Sequence, residues 1–180
     1  MFIPYTTLTV ITICVGLFFG LNPLFDYTWL MLAGQNTHWW TLITYQYLHA
    51  NVRHIVSNLV ILSVFGALIE SRIGSIRTLL FINISGILSG LWWVLFHLNA
   101  PESYVVGISG STYSLVSVCF LYILPRKNRY AYYGALVALI ILALIQPIVS
   151  LTNNSAWGSH IMGIFVGMLY AAYLMRPVRL

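Results

Sequence analysis

Four residues have the types and spacing to do chemistry together: Ser109, His160, His54 and Asn58. Ser109 stands in Gly107-Ile108-Ser109-Gly110 at the start of an apolar run. A serine hydroxyl attacks a carbonyl only when a neighbouring base takes its proton, and His160 is the candidate base at similar depth. Gly107 and Gly110 remove side chains on either side of the serine, so another backbone can approach and the loop can adopt positive φ. The free N–H groups at a helix start could hold the oxyanion that such an attack creates. A Gly-x-Ser-Gly helix start is also compatible with a plain N-cap and small-residue packing.

His160 opens His160-Ile-Met-Gly163-Ile-Phe-Val-Gly167. Positions i, i+3 and i+7 share a helix face, so the imidazole points to the seam where the two glycines admit a neighbour. An ionisable group facing the interior of a membrane bundle is a functional candidate. Tyr113, one turn after Ser109, lies on the serine's face, where its ring could hold the imidazole by stacking. His54-x-x-x-Asn58 places two hydrogen-bond donors on one face, suited to an oxyanion or to a polar clamp between helices. His49 and His54, five apart, share a face poorly, so a metal site is not expected. His38 and His97 read as interfacial aromatics.

The inventory excludes other routes. The only carboxylates are Asp26, Glu70 and Glu102, none of them mid-span, which rules out a paired-carboxylate hydrolase. His-Glu-x-x-His is absent, so the usual zinc protease is ruled out. Serine with histidine remains, without a third carboxylate, as a dyad. Cys14 and Cys119 both fall mid-span, so a stabilising disulfide is not expected and neither is assigned a redox role.

The elements that position these residues follow from composition. The chain is 60% hydrophobic and 6% charged, whereas a soluble domain carries about 25% charged residues. Its net charge of +5 forms no basic run, so nucleic acid is not expected. Apolar runs bounded by Pro, Gly, Asn or charge predict six spans: Tyr5–Leu21, Leu48–Ile69, Ile76–Phe96, Ile108–Leu124, Tyr130–Ser150 and Trp157–Met175. With the N-terminus cytoplasmic, Arg72, Arg77, Arg126, Lys127, Arg129, Arg176 and Arg179 lie inside and only Arg53 outside, as the positive-inside bias requires. The N-terminal apolar stretch lacks a basic n-region and a small-residue cleavage site, and reads as a retained helix. The connection from Asn22 to about Tyr47 is rich in tryptophan and should lie in the outer interface.

Taken together, these motifs resemble the rhomboid intramembrane serine proteases of the compact six-helix type. The resemblance covers essentially the whole chain. It rests on His49, His54-x-x-x-Asn58, Glu70-x-x-x-Gly74, Gly107-x-Ser109-Gly110-x-x-Tyr113 and His160-x-x-Gly163-x-x-x-Gly167. It implies an all-α six-span bundle with a long interfacial first loop, forming a single membrane domain over residues 1–180. It further implies Ser109 as nucleophile, His160 as base and acid, His54, Asn58 and the Ser109 amide as oxyanion donors, and Tyr113 packed on His160. There are two departures. The family often has Trp-Arg in the first loop, where Trp40 is followed here by Thr41; and Ser159 replaces the alanine frequent before the histidine.

The implied partners are transmembrane protein substrates and the bilayer, with no cofactor and no metal. The implied location is a bacterial inner membrane with both termini cytoplasmic. With no appended soluble domain expected, specificity would come from the membrane region. Ser57, Asn58, Ser111 and Ser159 are expected to line a wet cavity. Glu70 is expected to form a salt bridge or cap the next helix, and Gly86 and Gly90 to serve helix packing. The rival readings are a non-catalytic relative that binds transmembrane helices, whose kind generally lacks the serine or histidine, and a small transporter, which would want ionisable groups or broken helices near the midplane.

Overall fold

The computed structural model describes residues 2–21, 26–35, 37–100, 102–123, 129–150 and 156–176. It is built from helices: α1 (Tyr5–Leu21), α2 (Thr41–Thr44), α3 (Val52–Ile61), α4 (Ala67–Ile73), α5 (Ser75–His97), α6 (Ser109–Val118), α7 (Arg129–Ser150) and α8 (Trp157–Leu174). A π-helical turn over Leu62–Gly66 joins α3 to α4, so Val52–Ile73 runs as one rod. Three helical segments among the described residues are long and apolar enough to cross a membrane: Val52–Ile73, Ser75–His97 and Trp157–Leu174. Shorter apolar helices over Tyr5–Gly20, Ser109–Ile123 and Tyr132–Ile141 fall within the other three expected spans. Leu124, Arg126, Lys127 and Arg179, with the Asn22–Phe25 part of the first loop, lie outside the described residues.

The second span is displaced by about one helical turn from its expected bounds of Leu48–Ile69. Asn51, in extended conformation, accepts a hydrogen bond from the His54 N–H at 2.9 Å and so caps the helix start. At the other end the rod continues to Ile73 and stops at Gly74, whose φ of 84° is accessible to glycine with little strain. Apolar periodicity locates a span, but a capping side chain decides where it begins.

Glu70 acts at long range. Its buried carboxylate accepts from the Thr6 and Thr7 N–H groups at 2.8 and 2.9 Å, from the Thr7 hydroxyl at 2.8 Å and from the Ser75 hydroxyl at 2.7 Å. Those amides belong to the first turn of α1, which have no intrahelical acceptor. An anion there also meets the positive end of the helix dipole. Glu70 therefore caps the first helix rather than the next one, and staples α1, α4 and α5 at one end of the bundle.

The first loop is folded. Leu32–Ala33 and Tyr104–Val105 form a two-residue antiparallel pair, with Leu32 opposite Val105. Leu32, Tyr45, Trp93 and Val105 make a small core of their own, and the Tyr45 hydroxyl donates to the Gly86 carbonyl at 2.7 Å. A methyl group on Gly86 would overlap the Gln46 amide, and one on Gly90 would press on Leu32 and Tyr45. These two glycines thus chiefly admit the loop onto α5, rather than packing helix on helix as expected. Thr41, where the family often has arginine, is buried and donates to the His38 carbonyl at 2.6 Å. His38 stacks on Trp40 at 4.3 Å, and Thr44 ties back to the Leu30 carbonyl at 2.7 Å. The loop is thus held by local bonds at Thr41 and Thr44 and by long-range ones to Gly86 and the Tyr104–Val105 strand.

Candidate active site

The site forms where α6 and α8 cross. A Cβ on Gly163 would overlap the Gly110 carbonyl oxygen, and one on Gly167 would overlap that of Ser114. Only hydrogen at both positions lets the two backbones approach this closely. The Ser114 hydroxyl bridges the seam, 2.7 Å from the Gly163 carbonyl and 3.1 Å from that of Gly110. The crossing brings the first turn of α8 against the first turn of α6. His160 Nε2 then lies 2.9 Å from Ser109 Oγ.

Ser109 is the first residue of its helix, preceded by Ile108 at the N-cap position without a side-chain cap. Of the helix-cap alternative, the small-residue packing is present, at Gly110 against Gly163, whereas Ser109 is not the capping residue and its hydroxyl reaches across to His160. Gly107 has φ of 118°, and its N–H donates to the Tyr45 carbonyl at 2.8 Å. A Cβ there would stand 2.7 Å from Cε1 and Nε2 of His54. Gly107 is thus needed twice, for its backbone angle and for the space the imidazole occupies. Tyr113 stacks on His160 with ring centroids 4.6 Å apart and planes inclined by 27°.

Ser109 and His160 share a cavity of about 540 Å³ with His54, Ser57, Asn51 and Arg53. Its other wall comes from Ala50, from Tyr104 to Val106 and from Ala156. Ser109 is only 8% exposed, so a reacting carbonyl would meet it inside the cavity. No carboxylate is among the lining residues. Asp26 lies in the first loop, where the N–H and then the hydroxyl of Thr28 hold its carboxyl below the usual range; Glu70 is engaged at α1. Among the described residues, the cavity wall holds no third acidic partner.

The remaining expected residues divide. His54 lines the cavity, with its ring edge-on to buried His49 at 5.1 Å. Asn58 is buried beside Gly107 rather than in the cavity wall, and its amide donates to the His54 carbonyl at 3.1 Å. A primary amide has two N–H groups, so this bond leaves one to use elsewhere. Ser57 lines the cavity as expected, but Ser111 and Ser159 do not. Ser111 donates to the Ile82 carbonyl at 2.7 Å and Ser159 to that of Ala156 at 2.7 Å. Buried hydroxyls without water turn to the nearest carbonyl. Arg53, Asn51 and the Tyr104–Val105 strand with Val106 after it are additions to the expected site. The asparagine before an apolar helix was the available signal for Asn51, and nothing in the pattern marked the strand.

The fold and the site define a helical integral membrane protein with a serine and a histidine hydrogen-bonded in a polar cavity. Residues 36–177 match the Rhomboid domain. The chain is 25% identical over 142 residues to rhomboid protease GlpG of Haemophilus influenzae, covering 76% of this chain and 70% of that protein. It is 27% identical over 184 residues to rhomboid protease AarA of Providencia stuartii, covering 84% and 64% respectively. It is also 30% identical over 140 residues to RHOMBOID-like protein 1 of Arabidopsis thaliana, covering 77% of this chain and 35% of that one. The chain belongs to the rhomboid family.

Proposed function

We propose that this protein is an intramembrane serine endopeptidase that hydrolyses peptide bonds in or near transmembrane segments of other membrane proteins. The observation that carries the reading is the 2.9 Å approach of His160 Nε2 to Ser109 Oγ inside a polar cavity. The relatives named as proteases support it. In this reading residues 1–180 form one six-span domain in a bacterial inner membrane, with both termini cytoplasmic and the tryptophan-rich first loop in the outer interface.

The reaction begins with a locally unwound substrate segment in the cavity. Ser109 Oγ attacks the scissile carbonyl carbon while its proton passes to His160 Nε2. The carbonyl oxygen becomes an oxyanion, held by the Ser109 N–H at the helix start, by His54 and by the spare Asn58 N–H. One such donor contributes about 10²–10³ in rate. The C–N bond then breaks as His160 returns the proton to the leaving amine, leaving an ester on Ser109. Water attacks that ester, gives its proton to His160, and the serine is released with the acid product. Tyr113 keeps the imidazole plane in place through the cycle, a role an acid fills in triads.

The test is cleavage of a single-span reporter in proteoliposomes. Ser109→Ala and His160→Ala should each abolish product while the proteins keep their helical content and unfolding temperature. Cleavage by folded Ser109→Ala at more than a trace of the wild-type rate refutes the assignment.

A further inference from the structure

A second concavity lies away from the cavity just described, on the outside of the bundle between α5 and α8. It has a volume of about 420 Å³ and almost wholly apolar walls. Phe81, Ile84 and Leu88 on α5 follow Arg77 at helical spacing, and Leu169 and Tyr173 close the groove from α8. Arg77, in the first turn of α5, stands at one end of the groove. It is exposed, and close enough to Tyr170 to act on it electrostatically.

Two features choose the occupant. The first is length. From Arg77 to Leu88 is a rise of about 16 Å at 1.5 Å per residue, and one leaflet's share of the hydrocarbon core is about 15 Å. A single acyl chain extended from the headgroup level fits that span. The second is charge. Arg72, at the end of α4, and Arg176, just past α8, stand at the same end of the bundle as Arg77. The carboxylate there, Glu70, is buried and taken up by α1, while Asp26 and Glu102 follow the opposite ends of α1 and α5. Of these three arginines only Arg77 lines the groove, so it alone meets a headgroup seated there. Arg72 and Arg176 add a weaker field, and basic pockets between membrane helices select anionic headgroups.

We propose that this groove binds one anionic phospholipid, its phosphate on Arg77 and an acyl chain lying along α5 toward Leu88. The site is independent of the hydrolytic reading. It makes the lipid a fixed part of the α5–α8 face, on the helix that carries His160.

The test is native mass spectrometry of the full chain released from vesicles of equal parts phosphatidylcholine and phosphatidylglycerol. Wild type should retain one phosphatidylglycerol about five-fold over phosphatidylcholine, the share of one arginine near a headgroup. Arg77→Gln should bring the ratio close to one, and Ile84→Trp, which fills the groove from an exposed position, should strip both lipids. Arg176→Gln, off the groove, should leave the ratio within about two-fold of wild type. Both groove changes are at exposed residues, and circular dichroism checks that each variant keeps its fold. Unchanged selectivity in Arg77→Gln, equal losses in Arg77→Gln and Arg176→Gln, or full lipid retention by Ile84→Trp would each overturn the proposal. So would a finding that Ile84→Trp dissolves a dimer and leaves bound lipid unaffected.

Discussion

Replacing Gly163 by alanine adds one methyl group at the point where α8 rests on α6. The new Cβ would overlap the Gly110 carbonyl oxygen and stand 3.0 Å from its carbon and 3.2 Å from its Cα. Ordinary carbon contacts lie at about 3.5–4.0 Å, so the two helices must separate by about 1 Å. His160 sits one turn before Gly163 on the same face and moves with it. The gap between Nε2 and Ser109 Oγ then grows from 2.9 Å to about 3.9 Å, beyond hydrogen-bond range. A displacement of that size costs about 10² in rate, and overpacking destabilises by about 1–3 kcal/mol. The assay is reporter cleavage in proteoliposomes, with thermal unfolding measured on the same preparations. Gly167→Ala serves as the comparison. It wedges the same helices one turn further on, against Ser114, so it should lose similar stability and less rate. A folded Gly163→Ala that cleaves within about three-fold of wild type would refute the reasoning, because the expected loss is about 10².

Other perturbations separate positioning from stability. Gly107→Ala places a Cβ against the His54 ring and forces a non-glycine residue to positive φ; strain of about 1–3 kcal/mol should appear as a lower unfolding temperature, with cleavage reduced at least ten-fold (~1.4 kcal/mol). Tyr113→Phe should keep near wild-type cleavage and Tyr113→Ala should lose about five-fold, since the ring stack is worth about 0.5–1.5 kcal/mol; equal activity of the two variants would remove Tyr113 from the positioning role. Glu70→Ala should cost about 3 kcal/mol in equilibrium unfolding, because it strands the amides and hydroxyls that the carboxylate serves, while the fraction that remains folded cleaves normally.

What could be read ahead of the structure follows physical range. Six apolar runs and the Gly163/Gly167 face depend on composition and helical period, both of which act within a turn or two. The Ser109–His160 pairing spans 51 residues and was legible only through the similar depth of the two residues and the motifs around them. The cap at Asn51 and the stop at Gly74 are equally local, yet they set the span about one turn later than apolar content alone does. The contacts that escaped are between distant segments. Glu70 bonds to Thr6 and Thr7 across more than sixty residues, and Leu32 pairs with Val105 in strands too short to show an alternating pattern. The π-helical turns at Leu62–Gly66 and Cys119–Ile123 also leave no periodic trace; at their meeting point the Cys119 thiol donates to the Phe65 carbonyl at 3.8 Å. Serine was the least legible residue. Ser57 faces the cavity while Ser111 and Ser159 bond to backbone, and only the packed neighbours decide between those fates.

The activation of Ser109 by His160 is tested most directly by reacting the purified protein with a fluorophosphonate and locating the adduct by peptide mass spectrometry. Wild type should carry one adduct, on Ser109, and folded His160→Ala should carry none on the same timescale. Labelling of Ser109 at an undiminished rate in His160→Ala, or an adduct at some other serine in the wild type, would contradict the dyad.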